Sequence, residues 1–95
     1  MKMFWVVYDD YFDDSITNAF KQAGCKSYMK LHDATGVSHT SGVTVGTHKR
    51  PAKSILMAVP DESIPRLLEI VRGLKTAHPT MSCRAVTFPL EECIL

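Results

Sequence analysis

The sequence has no apolar run of membrane-spanning length and almost no net charge. A spanning helix needs about 20 consecutive apolar residues, and the apolar stretches of this chain are strand-sized. Eleven basic and ten acidic residues leave a net charge of +1, which favours neither nucleic acid nor an anionic membrane surface. The N-terminal segment MKMFWVVYDDYFDD has no signal-peptide layout, because acids follow a short apolar stretch. These features predict a cytoplasmic protein.

Cysteine is scarce, and motifs for covalent or acid–base catalysis are missing. Cys25, Cys83 and Cys93 form no CxxC pair, which argues against a disulfide framework and a structural zinc site and favours reduced thiols. No nucleophile–base set, paired-carboxylate motif or phosphate-binding P-loop stands out. We therefore expect no catalytic residues and no enzymatic activity.

What the chain does contain is a regular order of strands and helices. Its 95 residues predict one domain, 1–95. Apolar and alternating stretches predict strands at 1–8, 26–32, 54–59 and 82–88. Helical spacing predicts a helix from Asp13 to Ala23, ended by Gly24, and a second from about Ile64 through Leu74, ended by Gly73 and the TAHPT segment at 76–80. The expected side-chain caps are Asp13, Asp14 or Ser15 for the first helix and Asp61 or Ser63 for the second.

This βαββαβ order predicts an α+β, ferredoxin-like fold with an antiparallel four-stranded sheet. The first and third strands are apolar on both faces, whereas the second and fourth carry Lys30 and Arg84, so the expected strand order is 4-1-3-2. Right-handed crossovers place both helices on one face of the sheet. The other face needs a second subunit to cover it, and its candidate residues are Trp5 or Phe4, Met29, Met57 and Val86.

A long loop is predicted between the second and third strands, at residues 33–53. It is rich in serine, threonine and glycine and ends in a basic cluster. A loop of this length without secondary structure of its own is usually functional or disordered.

Four stretches resemble the PII signalling superfamily over essentially the whole chain. They are YDDYFDDSITNAFKQAGCKSY, HDATGVSHTSG, SILMAVPDESIPRLLEIVRGL and RAVTFPLEECI. The VPDE turn together with PLEECI is the most specific part. The resemblance implies homotrimers that sense small molecules, bind adenine nucleotides between subunits and dock onto a transporter, enzyme or regulator. Docking uses the T-loop, which corresponds to residues 33–53 of this chain.

One segment departs from the family pattern. Relatives hold nucleotide phosphates with a glycine-rich B-loop, and the corresponding LKTAHPTMSCRA contains no glycine. Backbone amides need glycine for close approach to phosphates, so ATP held in the usual way is not expected. The sequence does not identify the effector, and the candidates are an adenine nucleotide, held in another way, or bicarbonate.

The candidate effector-binding residues lie in and around the loop. Three open it where relatives contact the nucleotide, three form its basic end, and two flank the shortened B-loop: Thr35, Gly36, Val37, Lys49, Arg50, Lys53, His78 and Arg84. The basic residues have the chemistry to neutralise a small anion, although a solvated surface patch explains them equally well.

Two alternative functions remain open from the sequence. His39 and His48, with His32 and Cys83 nearby, suggest a transition-metal-binding trimer similar to the CutA family, since imidazole suits zinc, copper and nickel. Tyr28 and His32 are a faint sign of a small enzyme of the dimeric-barrel type. The acids between Asp9 and Asp14 are interpreted as stabilising the start of the first helix rather than as a cation site.

Overall fold

The computed structural model describes residues 1–39, 47–92 and 94, and of residues 33–39 and 47–50 it describes the backbone. The predicted calls on residues 40–46 lie outside this description. The elements in chain order are strand β1 at Lys2–Asp9, helix α1 at Asp13–Gln22, strand β2 at Met29–His39, strand β3 at Thr47–Val59, helix α2 at Ile64–Ala77 and strand β4 at Cys83–Pro89. Short 3₁₀ turns at Asp10–Phe12 and Asp61–Ser63 precede the two helices.

The four strands form one antiparallel sheet in the order β2-β3-β1-β4. The predicted ferredoxin-like βαββαβ topology is therefore confirmed, with β1 and β3 in the centre. In the middle of the sheet Val6 lies opposite both Ile55 of β3 and Ala85 of β4. The central strands are the most apolar because they have neighbours on both sides.

The core lies between one face of the sheet and the two helices. Its fully buried side chains come from β1, β3 and α1, and the largest are Tyr8, Phe4, Phe20, Ile16, Ile55 and Val6. The rings of Phe4 and Phe20 meet edge to face, with centroids 6.0 Å apart. Helix α2 adds Ile64, Leu67 and Val71 to the same core, which confirms the apolar stripe predicted from helical spacing.

Helix α1 ends at the predicted glycine. Gly24 has a φ of +89°, the left-handed region that other residues adopt at a cost. The amide of Cys25 donates to the carbonyl of Phe20 at 3.0 Å, and the amide of Gly24 donates to that of Lys21 at 3.0 Å. This pair of bonds is a Schellman motif, which satisfies the last carbonyls of the helix and turns the chain towards β2.

The starts of both helices differ from the prediction. Phe12 and Ser63 are the residues that precede the helices, and neither start has a side-chain capping hydrogen bond. The 3₁₀ turns lead the chain into each helix instead. Helix α2 ends at Ala77, within the predicted TAHPT segment, and it continues past Gly73 because Leu74 packs against the core.

The second face of the sheet carries no helix and exposes large apolar side chains. They are Trp5, Met29, Leu31, Val86 and Phe88, between 36 and 63 % exposed. Trp5, Met29 and Val86 were expected on this open face, and the structure confirms them. Phe4 and Met57 were wrong candidates: they lie opposite each other in the β1–β3 ladder and point to the helices, since alternate residues of a strand face opposite sides.

The segment predicted as a structureless loop begins and ends as a β-ribbon. β2 and β3 stay paired from Ala34↔Ala52 to His39↔Thr47, after an irregularity between Leu31 and Ala34. The prediction was wrong for these residues because antiparallel pairing outweighs their serine- and glycine-rich composition. β1 makes its last pair at Asp9↔Ala52. Pro51 follows immediately outward on β3, where its missing amide costs no bond to β1.

Among the described residues, no helix is both long and apolar enough to cross a membrane.

Replacing Phe20 by alanine tests the core. Phe20 is fully buried against Phe4, so Phe20→Ala is expected to lower the free energy of unfolding by about 3–5 kcal/mol. The control is Tyr11→Ala, which truncates an aromatic side chain that is 90 % exposed and should change stability far less. Urea denaturation followed by circular dichroism measures both, and equal losses would contradict the described core.

Candidate functional site

A cleft lies at the end of the sheet from which the β2–β3 ribbon projects. Its volume is about 640 Å³, and it is lined by Asp9, Asp10, Tyr11, Phe12, Pro51 and Thr80. These residues come from the end of β1, the 3₁₀ turn, the base of the ribbon and the segment before β4. The cleft therefore lies where the predicted T-loop base and the shortened B-loop segment meet.

Aromatic rings form one wall of this cleft. Tyr11 and Phe12 meet edge to face at 5.0 Å between ring centroids, and His78 lies tilted against Phe12 at 5.1 Å. Tyr11 is 90 % exposed, which is unusual for a large aromatic side chain. The arrangement offers ring faces on which a planar ligand could stack.

Asp9 fixes the chain segment that closes the cleft before β4. Its carboxylate accepts a hydrogen bond from the Ser82 amide at 3.0 Å. The Asp9 amide in turn donates to the carbonyl of Ser82 at 3.2 Å. Asp9 is 8 % exposed, so these two hydrogen bonds anchor the segment at Ser82 to a buried residue.

Beneath the cleft, the Asp13 carboxylate joins α1 to three strands. Its Oδ1 accepts the Tyr8 hydroxyl at 2.5 Å and the Thr17 hydroxyl at 3.4 Å. The Lys30 ammonium lies 3.0 Å from the same oxygen and also donates to Thr17 at 2.7 Å. Lys53 reaches the other oxygen, Oδ2, at 3.5 Å. We call these five side chains the Asp13 network.

The network shifts the proton affinity of its members. Burial alone would raise the pKa of Asp13, but the hydrogen bonds from Tyr8 and Lys30 and the charges of Lys30 and Lys53 outweigh it and hold that pKa at about 2. Burial, together with the hydrogen bond to Asp13 and its charge, raises the pKa of Tyr8. Asp13 is therefore ionised and Tyr8 neutral at physiological pH.

Lys53 connects the Asp13 network to the cleft. Its ammonium lies 2.9 Å from Oδ1 of Asp10, a residue of the cleft wall. The hydrogen bond to Asp10 and the charges of Asp10 and Asp13 raise the pKa of Lys53. Lys53 thus keeps its positive charge, and in the structure two carboxylates share it.

The structure brings most of the predicted effector residues to this end of the molecule. On the ribbon, the predicted residues pair Gly36↔Arg50 and Val37↔Lys49, and Thr35 lies opposite Pro51 of the cleft wall. His78 contacts Phe12 of the aromatic wall, and Lys53 contacts Asp10, which also lines the cleft. Arg84 is separate: it lies opposite Val7 on β4, on the open face. The effector-binding assignment itself stays a prediction.

The predicted metal pair lies on the ribbon, outside the residues whose side chains are described. His48 is opposite Ser38 and His39 opposite Thr47, so the two histidines occupy neighbouring rungs. Within the described part of the chain, no group of three histidine, cysteine or acidic side chains is placed to hold a metal ion. His32 is exposed beside the irregularity in β2.

Two described thiols lie away from the cleft. Cys83 is buried in the core, and burial raises its pKa. Cys25 is half-buried in the turn after α1, where burial also raises its pKa and Arg66 partly offsets the effect. Both are therefore protonated and weakly nucleophilic.

Sequence reasoning missed the aromatic wall and the ion pairs of the acids. Asp13 lies in the first turn of α1, as expected for a helix-stabilising charge. The carboxylates of Asp13 and Asp10 also pair with lysines from β2 and β3, which the sequence did not indicate. The sequence did contain a signal for the aromatic wall: two adjacent aromatic residues lie between acids, directly after a buried strand.

Replacing Asp13 by asparagine tests the network. The folded-state pKa of Asp13 is lowered from 3.8 to about 2, so its contribution to stability is present above pH 4 and is lost as pH falls through that range. Asp13→Asn is expected to cost about 1–3 kcal/mol at pH 7 and to flatten the acid limb of the stability curve.

Urea denaturation between pH 2 and 7 measures this effect, and Asp14→Asn is the control, since Asp14 is exposed in the same helical turn. An acid limb identical in both variants would contradict the described network.

Similarity to known proteins is found in the structure of the chain. No protein-family model matches the sequence, and no curated protein matches it. A solved structure of CPII from Thiomonas intermedia K12, a nitrogen regulatory PII-like protein bound to ADP, AMP and bicarbonate, superposes with a TM-score of 0.67. The two are 20 % identical, and the match covers 98 % of this chain and 94 % of that one.

The apo form of the same CPII superposes with a TM-score of 0.62 at 19 % identity, over 92 % of this chain and 89 % of the other. The chain has the fold of the PII-like nitrogen regulatory proteins.

Proposed function

We propose that this protein is a small-molecule-sensing regulatory protein of the PII-like type, and not an enzyme. It binds a small anionic or nucleotide effector in the cleft at the base of the β2–β3 ribbon and contacts a partner protein through residues 33–53. The observation that carries the proposal is the position of this cleft between the ribbon base and the segment before β4, in a chain with the PII-like fold.

The chemistry of the cleft supports an effector with a planar part and a small anionic part. Tyr11 and Phe12 offer ring faces for a nucleobase, and Lys49, Arg50 and Lys53 supply positive charge along the adjoining strand. A structural neighbour is bound to ADP, AMP and bicarbonate, and we propose ligands of the same classes here. The glycine-free segment 74–85 makes AMP, ADP or bicarbonate better candidates than ATP held by a glycine-rich loop.

The open face supports self-association. Trp5 lies opposite both Leu56 and Val86, and Met29 lies opposite Leu56, so the exposed apolar residues form one continuous surface. Monomeric soluble proteins rarely leave a continuous apolar sheet face uncovered. We propose that a homotrimer covers this surface and that its subunit clefts complete the effector site. The proposed setting is the cytoplasm.

Ligand binding is the direct test of the effector. AMP, ADP, ATP, cyclic AMP and bicarbonate are added separately at increasing concentration while the thermal midpoint is recorded. A ligand at a hundred times its Kd stabilises the folded state by about 2.7 kcal/mol, which raises the midpoint of a small domain by several degrees. We expect AMP, ADP or bicarbonate to give this shift.

Phe12→Ala, which removes part of the aromatic wall, should weaken any nucleotide-induced shift. Ile70→Ala is the control, because Ile70 is a partly buried apolar residue of α2 that lies neither on the open face nor in the cleft lining. An absence of any shift together with a monomeric mass by light scattering would refute the proposed function.

The open face makes its own prediction. Trp5 is the only tryptophan in the chain, so its fluorescence reports directly on burial of this surface. In the assembled protein its emission should be blue-shifted and should move to longer wavelength on dilution. Trp5→Lys should give a monomer by light scattering, whereas Asn18→Lys, which adds the same side chain at an exposed position of α1, should leave the assembly intact. A monomeric wild type would contradict the assembly.

A further inference from the structure

Two carboxylates of unequal exposure hold the Lys53 ammonium, and one of them, Asp10, lines the cleft. Asp13 has an 18 % exposed side chain, lies in the first turn of α1 and is tied by Tyr8, Thr17 and Lys30. Asp10 has a 47 % exposed side chain and lies in a three-residue 3₁₀ turn. Asp13 is therefore a fixed partner of Lys53, whereas Asp10 can be displaced.

The Asp10 carboxylate occupies the position that a bound anion would take beside Lys53. Its Oδ1 lies 2.9 Å from the Lys53 ammonium, the distance of a charge-assisted hydrogen bond to an anionic oxygen. The same side chain lines the cleft of about 640 Å³, which is open to solvent and has room for a small oxyanion. A ligand oxygen entering there meets Lys53 at the point that the Asp10 carboxylate now fills.

Within the group formed by Lys30, Lys53, Asp10 and Asp13, the charges balance only while Asp10 stays in place. Asp9 also lines the cleft, but its carboxylate accepts a hydrogen bond from the Ser82 amide. Lys30 and Lys53 carry two positive charges, and Asp10 and Asp13 carry two negative ones. If Asp10 turns out to solvent, Asp13 still positions the ammonium and one positive charge faces the cleft. Exposed ion pairs contribute little to stability, so the displacement of Asp10 is cheap.

We propose that Lys53 is an oxyanion-binding group of this cleft and that Asp10 occupies its place as an internal counter-ion in the ligand-free protein. Asp13 is a positioning residue that keeps the ammonium at the cleft edge in both states. The ligand class is a small oxyanion, such as bicarbonate, free phosphate or the phosphate of a mononucleotide. This inference rests on the proposed effector-binding function and adds to it a built-in competitor that sets the affinity.

Calorimetric titration of bicarbonate, inorganic phosphate and AMP, each alone at constant ionic strength, tests the proposal and distinguishes the sources of the oxyanion. Asp10→Asn keeps the shape of the side chain and removes the competing charge. It should tighten binding of at least one of the three by about fivefold, the factor that an exposed ion pair supplies. Lys53→Met should abolish the binding.

Asp14→Asn is the matched control for Asp10→Asn. It removes the same charge from an exposed residue four positions along the chain that has no contact with Lys53 in the structure, and it should change affinity less than about twofold. If Lys53→Met does not fold, as judged by circular dichroism, the double variant Asp10→Asn/Lys53→Met replaces it, because it removes both members of the pair.

Three results would overturn the inference. Equal tightening by Asp10→Asn and Asp14→Asn would show a general charge effect, and tight binding that survives the loss of Lys53 would place the anion elsewhere. The third is an absence of anion binding in both wild type and Asp10→Asn. If anion binding is absent but nucleotides still raise the thermal midpoint, the proposed function stands. If no ligand raises the midpoint, both the inference and the proposed function are refuted.

Discussion

The carboxylate of Asp13 is the contact on which the sheet, α1 and the cleft all depend. A charge removed from water is costly unless it is paired, and the partly buried Asp13 is paired with groups from β1, β2, β3 and its own helix. Among the described residues, no buried polar side-chain atom lacks a hydrogen-bond partner. The start of α1 therefore cannot shift without disturbing three strands at once.

That dependence gives the cleft a floor of paired side chains and a rim of exposed ones. Lys53 and Tyr8 are held by Asp13 from below, and Asp9 fixes the segment before β4 through Ser82. The rim, by contrast, carries the exposed Tyr11 and the half-exposed Asp10. A binding site with this division keeps its charged groups in place while its outer side chains adapt to the ligand.

The fold was predictable because charge and apolar residues are distributed unevenly over the strands. Lys30 and Arg84 identified the edge strands, and two strands apolar on both faces identified the centre. The same continuity of apolar residues hid the orientation of β1, since a strand that is apolar on both sides does not reveal whether Phe4 or Trp5 faces the helices. That choice depends on the contact between Phe4 and Phe20, which are far apart in the chain.

The site was less predictable because its parts are polar residues with ordinary local explanations. Asp13 suits a helix start, and Lys30 suits the wet side of an edge strand, so neither signals that the two side chains meet at 3.0 Å. Residues 33–39 and 47–53 have a loop-like composition, and their extended conformation comes from pairing with each other. Contacts between distant segments decided each of these cases.

The ribbon also has a mechanical consequence. Beyond the last β1 pair at Ala52, five rungs from Thr35↔Pro51 to His39↔Thr47 continue as two strands alone, a length of about 17 Å. The ribbon is thus a lever whose pivot adjoins the cleft wall at Pro51. A rotation of about 10° at that pivot moves the outermost described rung by about 3 Å, so a displacement of atomic size beside the cleft becomes a change of shape large enough for a protein surface to distinguish.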